Sequence, residues 1–180
     1  MQDMDDVLLV KMTLKGDLRA FEELVDRYQK VLYNTVLRIV QNSDEAQDIT
    51  QSGLVKAYEH LADYKPQHKF FSWLYRIVIN ESLNALRRRK ETQDIDSGLM
   101  GAAKDPAEIF EDSEREEYID RALQMLSPDN RAVVVLRHFQ DLSYREISQI
   151  LDIPEKTVKS RLFTARHLLK ERLLRLGYSQ

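Results

Sequence analysis

Along nearly the whole of this 180-residue chain the apolar residues recur at steps of three and four. No segment alternates at period two for long enough to make a strand. That periodicity commits the chain to helices. With five glycines and four prolines it also has little turn material for an all-β fold. Phe21, Leu24, Val25, Tyr28, Val31, Leu32, Thr35 and Ile39 form one apolar face of a long helix over residues 17–40. Val7, Leu8, Val10, Met12 and Leu14 predict a short helix before Gly16. After the polar break 41–44, with Ser43 as the expected N-cap, Ala46, Ile49, Gly53, Leu54, Ala57 and Leu61 mark another helix. Gly53 inside it is unfavourable by about 1 kcal/mol against Ala, so it is either tolerated or serves close packing. A loop over 64–69 contains Pro66. Phe71, Leu74, Ile77, Val78, Ala85 and Leu86 then set a further stripe, ending in the basic run Arg87-Arg88-Arg89-Lys90.

Residues 92–104 lose all periodicity and include Gly98 and Gly101, which reads as a flexible acidic linker. Asp105-Pro106-Ala107-Glu108 carries the signals of a helix start, and Ser127-Pro128 repeats them. Ser143-Tyr144-Arg145-Glu146 is a capping box opening a short helix through Leu151, and Asp152-Ile153-Pro154 breaks it. Val158, Leu162, Ala165, Leu169, Leu173 and Leu176 define a final long helix. The expected architecture is therefore all-α. Two small helical domains, 1–92 and 114–180, are joined by a linker over 93–113.

Net charge is −3, which by itself argues against a nucleic-acid partner. The distribution reverses that argument. Residues 93–116 hold two cations against eight carboxylates, whereas 155–175 hold seven cations against two carboxylates. The absence of cysteine removes disulfides, thiolate metal sites and thiol catalysis. No apolar stretch approaches the roughly 20 residues of a membrane span, and the acidic N-terminus is unlike a signal peptide. Direct membrane insertion is not expected, and the expected compartment is the cytoplasm.

The strongest local motif spans 143–166. A short helix, a three-residue turn and a second helix rich in Lys and Arg make a helix-turn-helix, whose second helix fits the major groove with its N-terminal residues at the base edges. Val158 and Leu162 should point back to the core. Lys and Arg can then pair with guanine, and Glu155 can accept from a cytosine amino group. The bland alternative is an antiparallel helix pair with a solvated basic face.

Here the sequence resembles a known family. The blocks 126–131, 142–147 and 153–166 closely resemble the promoter-reading domain of bacterial sigma factors. The block 44–51 with Lys56-Ala57-Tyr58 resembles their core-polymerase-binding helix, and 70–80 with Arg87-Arg88 their minus-ten helix. The short two-domain length resembles the extracytoplasmic-function (ECF) class. Ser52-Gly53, Asn84, Asp152 and Thr164 depart from the usual pattern. The resemblance implies a sigma factor that binds core RNA polymerase, at the clamp of its beta-prime subunit, and directs promoter recognition and initiation under the control of an anti-sigma factor. It implies polymerase contacts at Asp44, Asp48, Gln51 and Lys56. It implies minus-ten contacts at Tyr64, Lys65, His68, Phe70, Arg76, Asn80, Asn84, Arg87 and Arg88. Minus-thirty-five contacts follow at Arg145, Glu155, Lys156, Thr157, Lys159, Ser160, Arg161, Phe163 and Arg166. In the family the linker threads toward the polymerase active cleft.

Of the aromatic cluster, Phe71 and Trp73 are expected in the core. The 64–70 loop and Asn80 carry the functional reading: stacking surfaces hold a single strand, and an amide reads an extruded base. No enzyme is expected, and no metal or cofactor. His60, His68, His138 and His167 lack metal-binding spacing, and no Gly-rich phosphate loop exists. Carboxylates such as Asp44, Glu45 and Asp48 gather at helix N-termini through the dipole alone. A stand-alone DNA-binding regulator is the more serious rival, and the block 44–58 argues against it, because a simple repressor has no need of it.

Overall fold

The computed structural model describes residues 5–95 and 114–175. Among them lie eight α-helices and no strand: α1 (Asp6–Leu14), α2 (Leu18–Val40), α3 (Ser43–Glu59), α4 (Phe70–Ile95), α5 (Glu114–Gln124), α6 (Pro128–His138), α7 (Tyr144–Leu151) and α8 (Glu155–Arg175). A single 3-10 turn, Leu61–Asp63, follows α3.

The helix ends show how local chemistry places these elements. Asp17 caps α2 by accepting from the Arg19 N–H at 3.1 Å. Gln41, in the left-handed region at φ 59°, closes α2 through its N–H to the Leu37 carbonyl. Asn42, not Ser43, caps α3. Its extended backbone sets the amide oxygen 2.8 Å from the Glu45 N–H, and Ser43 becomes the first helical residue. Leu61 falls in the 3-10 turn rather than in α3. The largest departure from expectation is α4, which runs through the basic cluster to Ile95. Arg, Lys, Glu and Gln are good helix formers, and no Gly or Pro intervenes before Gly98, so nothing stops the helix at 92. The helix-start signal at 105–108 lies outside the described residues. Ser127 with Pro128 opens α6 as expected.

Two helical groups result. In the first, α2 packs on α1, α3 and α4, and α3 on α4. Leu24, Leu32, Val36, Ile39, Ala46, Leu74, Val78 and Ile79 fill its interior. Asp6 ties α1 down by accepting from Arg27 and the Tyr28 hydroxyl. In the second, α6, α7 and α5 gather on α8 around Val133, Leu136, Ile147, Ile150, Val158 and Leu162.

Gly53 is explained by close packing. A Cβ there would stand 2.7 Å from Val78 Cγ2, and Val78 is fully buried. Its missing side chain lets α3 and α4 approach, so its poor helix propensity is offset by packing.

The two groups also meet one another, with α2 against α6 and α4 against α6 and α7, and their buried residues form one continuous core. Arg131 is the polar element of this seam. It is buried, and it donates to the carbonyls of Leu123 (2.9 Å), Gln124 (2.9 Å), Leu126 (3.1 Å) and, across the seam, Ile39 (2.6 Å). The Leu123, Gln124 and Ile39 carbonyls belong to the C-terminal ends of α5 and α2, where a cation is favoured, and that of Leu126 lies just beyond α5. Burial, and then the charge of Arg89, pull the Arg131 guanidinium down to about 10, still cationic at neutral pH. Tyr75 is also buried here. Its hydroxyl lies 3.1 Å from Thr35 Oγ1 and donates to Gln140 Oε1 at 3.2 Å, and burial pushes it up to about 12. Among the described residues no helix is long and apolar enough to cross a membrane.

Candidate functional site

Three surfaces carry the residues singled out from the sequence. The first lies on α3. Asp44, Asp48 and Gln51 are exposed and separated by four and three residues, so they share one helix face. The same face continues to Val55 and Tyr58, which are 57% and 43% exposed. Sequence reasoning missed these two as site residues. Both fall outside the apolar stripe of Ala46, Ile49, Gly53, Leu54 and Ala57, and Tyr58 lies in the block that resembles the polymerase-binding helix; the structure adds how far they are exposed. Tyr58 is braced edge-on by the Phe21 ring at 4.9 Å. Lys56 sits off this strip and pairs with Glu81 of α4 at 2.8 Å, so the structure gives it an internal partner.

The second surface is on α4 and the segment before it. A shallow pocket of about 270 Å³ is lined by His60, Asp63, Trp73, Arg76, Ile77 and Asn80. Arg76 and Asn80, four apart, stand on one turn of α4, as their spacing requires. Trp73 forms a wall of this pocket instead of being wholly core. The loop below is correspondingly different from expectation. Tyr64 and Phe70 are buried at 7% and 2% exposure, stacked edge-on at 5.4 Å, with the Tyr64 hydroxyl donating to the His68 carbonyl. They brace the loop and offer no open ring face. Lys65 and His68 are exposed on it. Phe71, expected in the core like Trp73, is likewise only half-buried, against Tyr75 at 4.2 Å. Asn84, Arg87 and Arg88 are exposed further along α4, and Arg87 donates to Asn84 Oδ1 at 3.3 Å.

The third surface is the helix-turn-helix. Ser143 and Glu146 form the reciprocal capping box of α7, and Asp152 takes the left-handed conformation, φ 54°, at the turn. Val158, Leu162 and Ala165 are buried, which turns Glu155, Lys156, Lys159, Ser160, Phe163 and Arg166 outward. Phe163 is 69% exposed, with its ring against His167 at 5.5 Å. Lys159 lies over the Tyr144 ring at 5.8 Å, and Arg145 is exposed beside it on α7. Thr157 is half-buried. Arg161 departs from the group. It turns toward Asp129 of α6, 3.6 Å away, and is only 28% exposed. Among the described residues no cluster of His and carboxylates could hold a metal ion.

Glu146 is a strongly perturbed carboxyl of this unit. Hydrogen bonds from Lys69 (2.7 Å), from the Ser143 N–H and from its hydroxyl hold it at about 2, against an ordinary value of 4.5. Its folded-state value is depressed, so its contribution is complete above about pH 4.5 and is lost as pH falls toward 2. Glu146→Gln should therefore be about 1 kcal/mol less stable than wild type at pH 7, the ordinary worth of such a cap. The two acid-unfolding curves, followed by circular dichroism, should converge toward pH 2. A constant offset at all pH values would show that the charge of Glu146 plays no part.

A chain whose described residues fold into helices, with a helix-turn-helix whose second helix is basic and core-anchored, is a DNA-binding protein of the major-groove-reading kind. The other two surfaces are more than such a reader needs, and comparison with known proteins gives the family of the chain. Residues 24–92 match sigma-70 region 2, and residues 116–169 match sigma-70, region 4. The RNA polymerase sigma-H factor of Pseudomonas aeruginosa is 34% identical over 181 residues, covering 93% of each chain. The ECF RNA polymerase sigma-E factor of Escherichia coli K12 is 33% identical over 184 residues, covering 96% of each. Among solved structures, the sigma factor RpoE in complex with the anti-sigma factor NepR from Bartonella quintana aligns with a TM-score of 0.71 at 28% identity, over 85% of this chain and 96% of that one. CnrH in complex with the cytosolic domain of CnrY gives 0.69 at 25%, over 93% and 96%. The chain belongs to the sigma-70 family, as an RNA polymerase sigma factor of the ECF class.

Proposed function

We propose that residues 1–92 act as the polymerase- and minus-ten-binding domain, 93–113 as the connector, and 114–180 as the reader of the minus-thirty-five duplex. The exposed α3 strip, Asp44, Asp48, Gln51, Val55 and Tyr58, docks on the clamp of the beta-prime subunit of core polymerase, carboxylates at one end and apolar side chains at the other. The pocket beside Asn80 takes one extruded base of the unpaired minus-ten strand. Lys65, His68, Asn84, Arg87 and Arg88 line the path of its backbone. The outward face of α8 enters the major groove. The protein acts in the cytoplasm as an initiation factor without chemistry of its own, and its activity is held in check by an anti-sigma partner, as the likeness to RpoE in its NepR complex supports.

The observation that carries this reading is the pocket holding Asn80 and Arg76 on a helix separate from the helix-turn-helix, because a duplex-only regulator needs no site for an unstacked base. The test is run-off transcription with core RNA polymerase. Transcripts that depend on both added protein and promoter sequence are expected, whereas duplex binding without polymerase-dependent transcription would leave only a stand-alone regulator.

Specificity within α8 divides by position. Lys159→Ala should relax base preference at one position of the upstream element, at about 1–3 kcal/mol for the lost contact. Arg166→Ala should weaken every sequence alike and lower the salt-dependence slope by about one. Binding titrations over single-base variants and a salt series read both, and equal losses on every sequence for Lys159→Ala would remove it from base readout.

A further inference from the structure

His60 and Asp63 line the pocket beside Asn80 from outside α4, at the turn that follows α3. That turn is fixed. Leu61 within it is buried, the Asp63 N–H donates to the His60 carbonyl at 2.9 Å, and the Tyr64 N–H donates to the Leu61 carbonyl at 3.2 Å. Tyr64, next in the chain, is buried with its ring 5.6 Å from Trp73, the wall of the pocket. Asp63 therefore has a set place relative to that wall. Its carboxylate has His60 Nδ1 for a partner, 3.2 Å away, and both side chains are exposed. So exposed a pair contributes little to stability. A carboxylate only accepts, so Nδ1 carries the proton of that contact, and the other lone pairs of Asp63 stay open to a ligand. Beside a strand of phosphates a carboxylate weakens binding to every sequence alike, unless it accepts from a base and so becomes selective.

We propose that Asp63 selects the base that enters this pocket, admitting an amino base, cytosine or adenine, and turning away the keto oxygen of thymine. The inference rests on the reading of the Asn80 pocket as the minus-ten site. Asn80 alone does not make the choice. Its amide holds both donors and an acceptor and can turn over, so it pairs with a cytosine edge or a thymine edge. Asp63 has a single polarity. Cytosine offers it the N4 amino group, the contact that carboxylates make with that base, and adenine offers N6 in the corresponding place. Thymine offers O4 instead, an acceptor set against an acceptor. Its entry leaves a charged carboxylate desolvated without a donor, which costs more than the loss of a neutral hydrogen bond. Asn80 and Asp63 thus divide the work: the amide rewards any base that enters, and the carboxylate decides which. Because Asp63 stands on a turn anchored by Leu61 and Tyr64, it meets the base without first having to be ordered.

The test uses the holoenzyme, this chain with core RNA polymerase, and a fluorescent promoter fragment whose minus-ten strand is left unpaired. An abasic site is placed at each unpaired position in turn. The position that matters is the one whose abasic penalty disappears in Asn80→Ala, because only there does the base meet the pocket. At that position cytosine is compared with uracil, which has the same ring size and, like cytosine, no methyl group. Cytosine should bind about ten-fold tighter than uracil, and thymine should bind like uracil. In Asp63→Asn the cytosine-to-uracil ratio should fall to within about two-fold, because an amide can donate to O4 as well as accept from N4. Asp63 is exposed, so the variant has no packing to lose, and the removal of one charge acts on both fragments alike and cancels in the ratio. A wild-type ratio near one, or a ratio that survives Asp63→Asn, would overturn the proposal while leaving a base in the pocket. Uracil bound as tightly as cytosine with thymine alone rejected would assign the choice to the methyl group and overturn it too. If no position shows a penalty that Asn80→Ala removes, the pocket takes no base, and the underlying reading falls together with this one.

Discussion

Asp48→Arg should abolish capture of core RNA polymerase, with at least a roughly 30-fold loss of affinity, while leaving the melting temperature of the free protein unchanged. Asp48 stands on the outer face of α3, solvent-exposed, and the core side of that helix is carried by Ala46, Ile49, Thr50, Gly53 and Ala57. A charge reversal there has nothing inside the molecule to disturb. It does place a cation between Asp44 and Gln51 at the centre of the strip. A like or unpaired charge buried at the middle of a protein interface costs several kcal/mol, more than a rim substitution does. Val55→Asp should behave in the same way, because an exposed aliphatic beside Tyr58 contributes to association by desolvation and has no other work to do in this fold. Lys56→Gln makes the contrast. Its partner is Glu81 on α4, so its loss should appear mainly in stability, by a few tenths of a kcal/mol for so exposed a pair. Pull-down of core enzyme with each variant, set beside thermal melts, checks the assignment, and wild-type capture by Asp48→Arg would move the polymerase contact off α3.

The fold was legible wherever one residue type had one job. Ser143 and Glu146 three apart before an apolar face admit few arrangements besides a capped helix, and that helix is there. Asp152 could be read as the left-handed residue of the turn because Asp tolerates positive φ, and it takes that role. The reading failed where two residue types compete for one role. Asn42 and Ser43 both cap helices well, and the winner is decided by backbone geometry that the sequence does not encode locally. The end of α4 was misplaced because charged helix formers look alike whether they solvate a helix or a linker.

The sequence placed several polar residues of the candidate surfaces on the outside, though Lys56 and Arg161 turn to Glu81 and Asp129, and it did not tell which apolar ones are exposed. Asn80 and Arg76 were placed together by spacing alone, and they do line one pocket. Tyr64 and Phe70 were expected at the DNA, yet they are buried, whereas Trp73 reaches the pocket and Val55 and Tyr58 stand exposed. An aromatic or aliphatic residue at helical spacing looks the same whether its face turns inward or out. The direction is set by which helices pack on which, a property of the whole chain. Arg131 shows the same limit from the polar side. Its residue type predicts an exposed cation. Only the convergence of the α2 and α5 termini supplies the four carbonyls that make its burial tolerable.

Asn80→Ala should reduce open-complex formation about ten-fold while leaving duplex binding by the helix-turn-helix unit unchanged. The magnitude follows from one lost hydrogen bond to a base edge in a partly desolvated site, about 1.4 kcal/mol, which corresponds to a factor of ten. Asn80 is half-buried on α4, and its neighbours Trp73, Arg76 and Ile77 combine an aromatic wall, a cation and an apolar floor. Such a set suits a planar base, and on the proposed reading the ring would pack on Trp73 and Ile77, the amide of Asn80 would read its edge, and Arg76 would neutralise the adjoining phosphate. Extruding a base costs a few kcal/mol of stacking, so a site that recovers part of it lowers the barrier to melting and acts on the open complex more than on initial binding. Asn80→Asp sharpens the test. It preserves the shape and one acceptor but removes the amide donors, and it sets a negative charge beside the strand. It should therefore fall below Asn80→Ala if the pocket holds DNA, and equal or exceed it if Asn80 only fills space. Permanganate reactivity of unpaired thymines in the holoenzyme–promoter complex measures both. Wild-type reactivity in a folded Asn80→Ala protein would take Asn80 out of the site, and an unfolded variant at the same temperature would assign it to the core.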